Sequence, residues 1–171
     1  DIEKEINTNN FGFMFAPNYH SAMRFVGPVR KKIGKRTIFN MIGPLSNPAL
    51  VERQVVGVFD KKLLKIFAEG LKNLNLKFAW IVNSEDGLDE ISPYAITNVI
   101  QLKDGQISEI KIDPNSLGVN ADNFKNLVGD DAKFNADKMI EIFKACGSIL
   151  ISDIWPSFNW ITLVFAYGDI S

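Results

Sequence analysis

The sequence predicts an α/β domain with a mixed sheet and flanking helices, preceded by a segment of short helices. Three observations support this prediction: a strand–helix–strand pattern, a hairpin signal after it, and a Gly/Pro-rich stretch before it. Gln54–Phe59 and Phe78–Val82 are short apolar runs on either side of the amphipathic segment Lys61–Leu74. Such a unit, about thirty residues long, places its two strands parallel in one sheet.

The first stretch, Phe11–Ala49, has Gly and Pro repeatedly inside apolar sequence. This pattern is typical of short helices joined by fixed turns. We expect helices over Ser21–Gly27 and Pro28–Ile33, since Pro28 is suited to a first helical position and Gly34 to a helix stop.

Two alternating stretches, Thr97–Leu102 and Gln106–Ile112, flank Asp104-Gly105. Asp-Gly between such stretches is a strong signal for a two-residue hairpin. Beyond them, Asn135–Cys146 and Ile154–Tyr167 have the periodicity of closing helices.

The composition is that of a soluble globular domain. The chain has 171 residues, of which 46% are hydrophobic and 23% charged, and its net charge is −1. These values exclude disordered, collagenous and disulfide-scaffold classes and give no argument for nucleic-acid or membrane partners. The single cysteine, Cys146, excludes an internal disulfide and fits a cytoplasmic location. The longest apolar segment, Ala145–Gly168, is too interrupted to span a bilayer.

A basic cluster is the first candidate site. Between Asn18 and Val51 there is no acidic residue, and six basic side chains lie there: Arg24, Arg30, Lys31, Lys32, Lys35 and Arg36. The cluster could bind a carboxylate or phosphate, or it could be a solvated helix face. Arg30 differs from its neighbours because it adjoins the apolar Val26 and Val29, which can hold it against the fold.

The second candidate is the acidic run Glu85–Glu90, which directly follows the predicted strand Phe78–Val82. Ligands gather beyond the carboxyl ends of strands in open α/β sheets. Adjacent carboxylates there suit Mg²⁺, which combines one or two protein carboxylates with water and substrate oxygens. A solvated acidic turn is the alternative.

His20 is the only histidine. It could act as a general base, but a lone histidine near a helix start is more often structural. Neither a catalytic triad nor a zinc cluster is indicated by the residues around it.

Taken in order, these motifs resemble anthranilate phosphoribosyltransferase. The resemblance rests on FAP-x-x-H, a following Val-Arg, RT-x-FN-x-x-GPL-x-NP and DGLDE, and it covers Phe11 to about Gly118. It implies part of a nucleoside phosphorylase/phosphoribosyltransferase-like catalytic domain with a remnant of the helical domain. Residues 1–50 would form the helical-domain and hinge segment, and residues 51–171 the partial α/β catalytic domain.

The resemblance also implies substrates and site residues. The amine of anthranilate would attack the anomeric carbon of phosphoribosyl pyrophosphate and release pyrophosphate. His20, Arg30 and Pro44, the last in the GPL turn, would line the anthranilate site, and Asp89 and Glu90 would bind Mg²⁺. The planar guanidinium of Arg30 suits a carboxylate better than a lysine would. The family suggests a homodimer, with no nucleic-acid or membrane partner.

The sequence departs from the family in length, in its upstream motifs and toward its end, and the departure that matters most for activity concerns the pyrophosphate site. Family members carry a glycine-rich loop for pyrophosphate upstream of the FAP segment, and no GTGGD-like run occurs in these residues. We therefore expect little or no transferase activity from this chain alone. Three alternatives remain: a non-catalytic remnant or split subunit, a nucleic-acid-binding relative that uses the basic cluster, and a pyrimidine nucleoside phosphorylase of the same fold.

Overall fold

The fold was examined in a computed structural model, which describes residues 2–9, 12–14, 16–19, 23–35, 37–119, 129–145 and 162–165. The chain divides into two compact units, a first one within residues 1–50 and a second one over Val51–Phe165. In the described part of the chain, no helix is both long and apolar enough to cross a bilayer.

The first unit is helical. Its helices are α1 (Ile2–Asn9), α2 (Ala16–Tyr19), α3 (Met23–Ile33) and α4 (Phe39–Leu45). The predicted division into Ser21–Gly27 and Pro28–Ile33 is wrong, because α3 runs through Pro28. A proline inside a helix removes one backbone hydrogen bond, and the turns on either side continue the helix here. Gly34 follows α3 with a φ of +60°, which confirms the predicted stop.

Helix α3 leaves an apolar stripe exposed. Phe25, Val29 and Ile33 are four residues apart in the sequence and therefore lie along one helix face. Their exposed fractions are 79%, 53% and 49%. This stripe, defined by these three side chains, is uncovered apolar surface.

The second unit contains a five-stranded mixed sheet, in the order β4-β3-β2-β1-β5. The strands are β1 (Arg53–Gly57), β2 (Phe78–Ser84), β3 (Thr97–Lys103), β4 (Gln106–Ile112) and β5 (Thr162–Phe165). Strands β1 and β2 are parallel, which confirms the predicted strand–helix–strand unit. The pairs β2–β3 and β3–β4 are antiparallel.

The predicted hairpin between β3 and β4 is confirmed. Lys103 pairs with Gln106 across the two-residue turn Asp104-Gly105. Both turn residues have positive φ, 48° for Asp104 and 77° for Gly105. A type I′ turn requires this geometry, which explains why Asp-Gly predicted it correctly.

Helix α5 (Leu63–Asn73) covers one face of the sheet and builds the core. Its buried side chains are Leu64, Phe67, Ala68 and Leu71. The helix contacts β2 and β3, whose buried Ala79, Ile81 and Leu102 share one face of the sheet with Val56 of β1. Lys65 adds an exposed ion pair to Glu109 of β4 (2.9 Å), and Ile66 is exposed.

Of the two predicted closing helices, one is observed and the other is wrong in the part that the structure describes. Helix α6 (Ala132–Ala145) corresponds to the predicted helix Asn135–Cys146. The predicted helix Ile154–Tyr167 is wrong at Thr162–Phe165, which forms β5 and pairs parallel with β1. Thr162, Val164 and Phe165 are β-branched or aromatic and favour a strand. The other residues of that predicted helix lie outside the described residues.

Replacing Phe67 by Ala should destabilise the chain by about 3–5 kcal/mol, because it removes a fully buried ring from the layer between α5 and the sheet. The free energy of unfolding in denaturant measures this loss. The adjacent Ile66, which is 59% exposed, is the matched control, and Ile66→Ala should change stability by less than about 1 kcal/mol. Equal losses in the two variants would contradict the described core.

Candidate functional site

The candidate site is the loop between β2 and β3, which carries Glu85, Asp86, Asp89 and Glu90. Because β1 and β2 are parallel, their carboxyl ends lie at the same edge of the sheet, and this loop leaves from that edge. Ligands bind beyond this edge in open α/β sheets. The loop therefore lies where the sequence placed it.

Backbone hydrogen bonds close the loop at both ends. The Ser84 amide donates to the Leu88 carbonyl (2.8 Å), and the Glu85 amide donates to the Ile96 carbonyl (2.9 Å). The first bond folds the DGL segment back on the end of β2. The second ties the start of the loop to the residue that precedes β3.

Ser92 is the central tie of the loop, and its side chain is almost completely buried. Its hydroxyl donates to Asp86 Oδ2 (2.5 Å) and accepts from the amides of Tyr94 (3.0 Å) and Ala95 (3.2 Å). Its own amide donates to Thr97 Oγ1 at the start of β3 (3.0 Å). One serine thus fixes both halves of the loop.

Both carboxylate oxygens of Asp86 accept hydrogen bonds from within the loop. Its Oδ1 accepts from the Leu88 amide (3.3 Å), in addition to the bond from Ser92. Burial opposes ionisation of Asp86, but hydrogen bonds from Ser92, Ser84 and the Leu88 amide outweigh it and lower the pKa of this carboxyl below its usual value. Asp86 therefore has a structural role in the loop.

Besides Glu85 at the start of the loop, the adjacent Asp89 and Glu90 are the carboxylates left for a ligand. Among the described residues, neither side chain makes a hydrogen bond or ion pair within the protein. Asp89 is half-buried and Glu90 is exposed. Partial desolvation and the neighbouring Asp89 carboxylate raise the pKa of Glu90 above its usual value. Adjacent like charges of this kind are stabilised by a cation.

The donor set fits Mg²⁺. No group of three or more His, Cys, Asp or Glu side chains in the described ranges could enclose a metal. Two carboxylates at a solvent-facing loop leave positions for water and substrate oxygens, which is how Mg²⁺ is held at phosphate-binding sites. The residues present therefore suit Mg²⁺ better than a metal that requires a closed protein cage.

The residues predicted for anthranilate belong to the first unit. His20 lies outside the described residues. Arg30 lies on α3, and Pro44 is buried in the last turn of α4. The prediction that Pro44 sits in a turn is wrong, because the GPL segment is helical up to Leu45. The backbone leaves the helix only at Ser46, whose hydroxyl donates to the Ile42 carbonyl (3.0 Å).

Sequence reasoning missed two residues that shape the site. Ser92 lies two residues after the acidic run Glu85–Glu90, and a serine just after an acidic run is a recognisable source of local side-chain bonds to the backbone. Gly57 lies in the apolar run Gln54–Phe59, which predicts a strand. A glycine inside a strand often marks the close approach of another backbone, and that signal was available in QVVGVF.

A comparison with protein families identifies the chain. The family described as "Glycosyl transferase family, a/b domain" matches residues 1–153. The chain belongs to this family. The α/β fold predicted from the sequence is confirmed by the match and by the solved structures below.

Two curated relatives show which branch of the family is similar to this chain. An anthranilate phosphoribosyltransferase from Pelagibacter ubique (strain HTCC1062) is 78% identical over 144 residues, which cover 84% of this chain and 44% of that protein. One from Clostridium kluyveri is 44% identical over 143 residues, covering 84% of this chain and 43% of that protein. The chain thus spans less than half the length of these relatives, and the predicted family resemblance is confirmed.

Solved structures of anthranilate phosphoribosyltransferases are similar in fold to this chain. A variant anthranilate phosphoribosyltransferase from Saccharomyces cerevisiae with Mg bound has a TM-score of 0.75 at 29% identity, over 82% of this chain and 40% of that chain. The enzyme from the same organism in complex with PRPP and Mg has a TM-score of 0.73 at 29% identity, over 81% of this chain and 39% of that chain.

Replacing Ser92 by Ala should destabilise the second unit by about 1–3 kcal/mol, because it leaves Asp86 and two amides without their partner. Unfolding in denaturant measures this change, and the exposed Ser108 provides the control variant Ser108→Ala.

The stability lost in Ser92→Ala should also depend on pH. The pKa of Asp86 is lower in the folded chain than in the unfolded chain. Its contribution to stability is therefore complete above the unfolded value of about 4 and is lost as the pH falls through the folded value. The difference between the parent chain and Ser92→Ala should shrink in acid. A difference independent of pH would contradict the role assigned to Asp86.

Proposed function

We propose that this chain is part of an anthranilate phosphoribosyltransferase, a pentosyltransferase of tryptophan biosynthesis. The single observation that supports this most is the difference in hydrogen bonding between the acidic side chains of the loop after β2. Asp86 is bonded to Ser92 and the Leu88 amide, whereas the adjacent Asp89 and Glu90 make no side-chain hydrogen bond or ion pair among the described residues. In the proposed reaction, the amine of anthranilate attacks the anomeric carbon of PRPP and pyrophosphate leaves.

Asp89 and Glu90 are the residues we assign to Mg²⁺. When bound, the ion would neutralise charge on the pyrophosphate leaving group. The chain's own contribution is to hold the two carboxylates in place before the metal arrives, through the bonds of Ser84, Glu85 and Ser92. A preformed site avoids the cost of ordering a flexible loop at each binding event.

Residues of the first unit would bind anthranilate. We assign His20, Arg30 and Pro44 to that substrate, with the planar fork of Arg30 binding its carboxylate. Lys32 and Lys35 are exposed on and just after α3, as expected of a solvated face. They are therefore left out of the proposed site.

The remaining assignments follow from the same proposal. Residues 1–50 would be the helical-domain and hinge segment, and residues 51–171 the partial α/β catalytic domain. A homodimer in the cytoplasm, with no nucleic-acid or membrane partner, is what the family implies for the whole protein.

A second candidate function is that of a subunit or remnant that works only with a complementary chain. The exposed stripe of Phe25, Val29 and Ile33 favours it, because uncovered apolar surface of this kind marks a face that another element covers.

The proposed function is tested by transplantation. A polypeptide of these 171 residues should form little or no product from anthranilate and PRPP, because no GTGGD-like run that could hold pyrophosphate occurs among them. The Pelagibacter ubique relative with its matched segment replaced by this sequence should form phosphoribosyl anthranilate. In that chimera, Glu90→Ala should lower kcat/KM by about 100-fold or more, whereas Glu85→Ala, at an exposed residue of the same loop, should lower it by less than about threefold.

Three results would contradict parts of this proposal. Product from the isolated chain, abolished by Glu90→Ala, would show that the chain is complete in activity. A folded but inactive chimera would favour the non-catalytic alternative. Phosphate-dependent cleavage of pyrimidine nucleosides by the chimera would favour the phosphorylase.

A further inference from the structure

Gly57 lies directly beneath the acidic loop. It is the last residue of β1 and pairs with Val82 of β2 on one side and Phe165 of β5 on the other. A Cβ atom at this position would overlap the backbone carbonyl of Asp89, and Asp89 Cβ would lie 3.4 Å from it. The loop thus rests on the bare backbone of β1 at the residue that begins the proposed carboxylate pair.

Close approach, and not backbone conformation, is what requires a glycine here. The described glycines with positive φ are Gly34, Gly87, Gly105 and Gly118, and Gly57 is not among them. Any residue could adopt the backbone of Gly57. A glycine in a strand is less favourable than alanine because it loses more conformational freedom on folding, and the close approach of the Asp89 carbonyl explains why a glycine is nevertheless present.

Hydrogen bonds and burial hold the strand on both sides of Gly57. The Val58 amide donates to the Val82 carbonyl (3.0 Å), and Asn83 Nδ2 donates to the Val58 carbonyl (2.8 Å). Val56 and Val58 on either side of Gly57 are fully buried. A side chain at residue 57 would therefore displace Asp89 rather than the strand.

We propose that Gly57 is a positioning residue for the Asp89–Glu90 pair: the absence of its side chain lets the loop settle against β1 and sets where the two carboxylates stand above the sheet edge. Gly57 makes no contact with substrate in this scheme and acts only through Asp89. The proposal rests on the proposed function, because it assigns the pair to a divalent cation.

The test compares Mn²⁺ binding to the 171-residue chain and its Gly57→Ala variant, with free Mn²⁺ followed by electron paramagnetic resonance. Gly57→Ala should raise the Mn²⁺ dissociation constant about tenfold or more, keep a cooperative unfolding transition, and shift the backbone amide resonances of Leu88, Asp89 and Glu90. Gly27→Ala is the matched control, since nothing lies within 4 Å of a Cβ at Gly27. It should leave both the dissociation constant and these resonances unchanged.

Each other outcome overturns one identifiable claim. An unchanged Mn²⁺ dissociation constant in folded Gly57→Ala would overturn the role of Gly57 alone. Loss of the cooperative transition would also overturn it, because the strand and not the loop would then have yielded. If the paired substitution Asp89→Asn with Glu90→Gln leaves the dissociation constant of the parent chain unchanged, the proposed metal site itself fails.

Discussion

The parallel pairing of β1 and β2 is the constraint on which the site depends. It brings the carboxyl ends of the two strands to one edge, with Gly57 opposite Val82. The loop that leaves β2 can then fold back over β1. Helix α5 stabilises this arrangement from one face through Phe67 and Leu71, which are fully buried against the sheet. The position of the carboxylates is therefore a consequence of the hydrophobic core several residues away.

Within the loop, four acidic side chains have different environments although they are close in sequence. Asp86 is stabilised as an anion by donated hydrogen bonds, and Glu90 is destabilised as an anion by desolvation and by Asp89. The hydrogen bonds to Asp86 stabilise the folded protein. The negative charge of Asp89 and Glu90 is left to be compensated by a bound ligand. A divalent cation with phosphate oxygens is one natural complement to such a pair.

The sequence predicted correctly those elements whose structure depends mainly on residues close together in the chain. The βαβ unit and the Asp104-Gly105 hairpin follow from periodicity and from the positive φ that these two turn residues adopt. The break at Pro28 was wrong because the rest of α3 outweighs one lost hydrogen bond. Strand β5 was missed because Thr162–Phe165 gains its partner, β1, from a segment about a hundred residues earlier. The motif DGLDE predicts Asp89 and Glu90 as metal ligands. For Ser92 and Gly57 the sequence carries general signals, but it does not name their partners: the approach of Asp89 to Gly57 depends on the pairing of β1 with β2.

The most direct test of this account is where a paramagnetic ion binds on the folded chain. Sub-stoichiometric Mn²⁺ should broaden the backbone amide resonances around Asp89 and Glu90 before any others, because these carboxylates are set in place by the sheet. Asp130 and Asp131 form another adjacent acidic pair, away from the loop, and they already accept amide hydrogen bonds at the start of α6. Broadening that begins at Asp130 and Asp131, or that spreads evenly over the exposed carboxylates, would contradict the account.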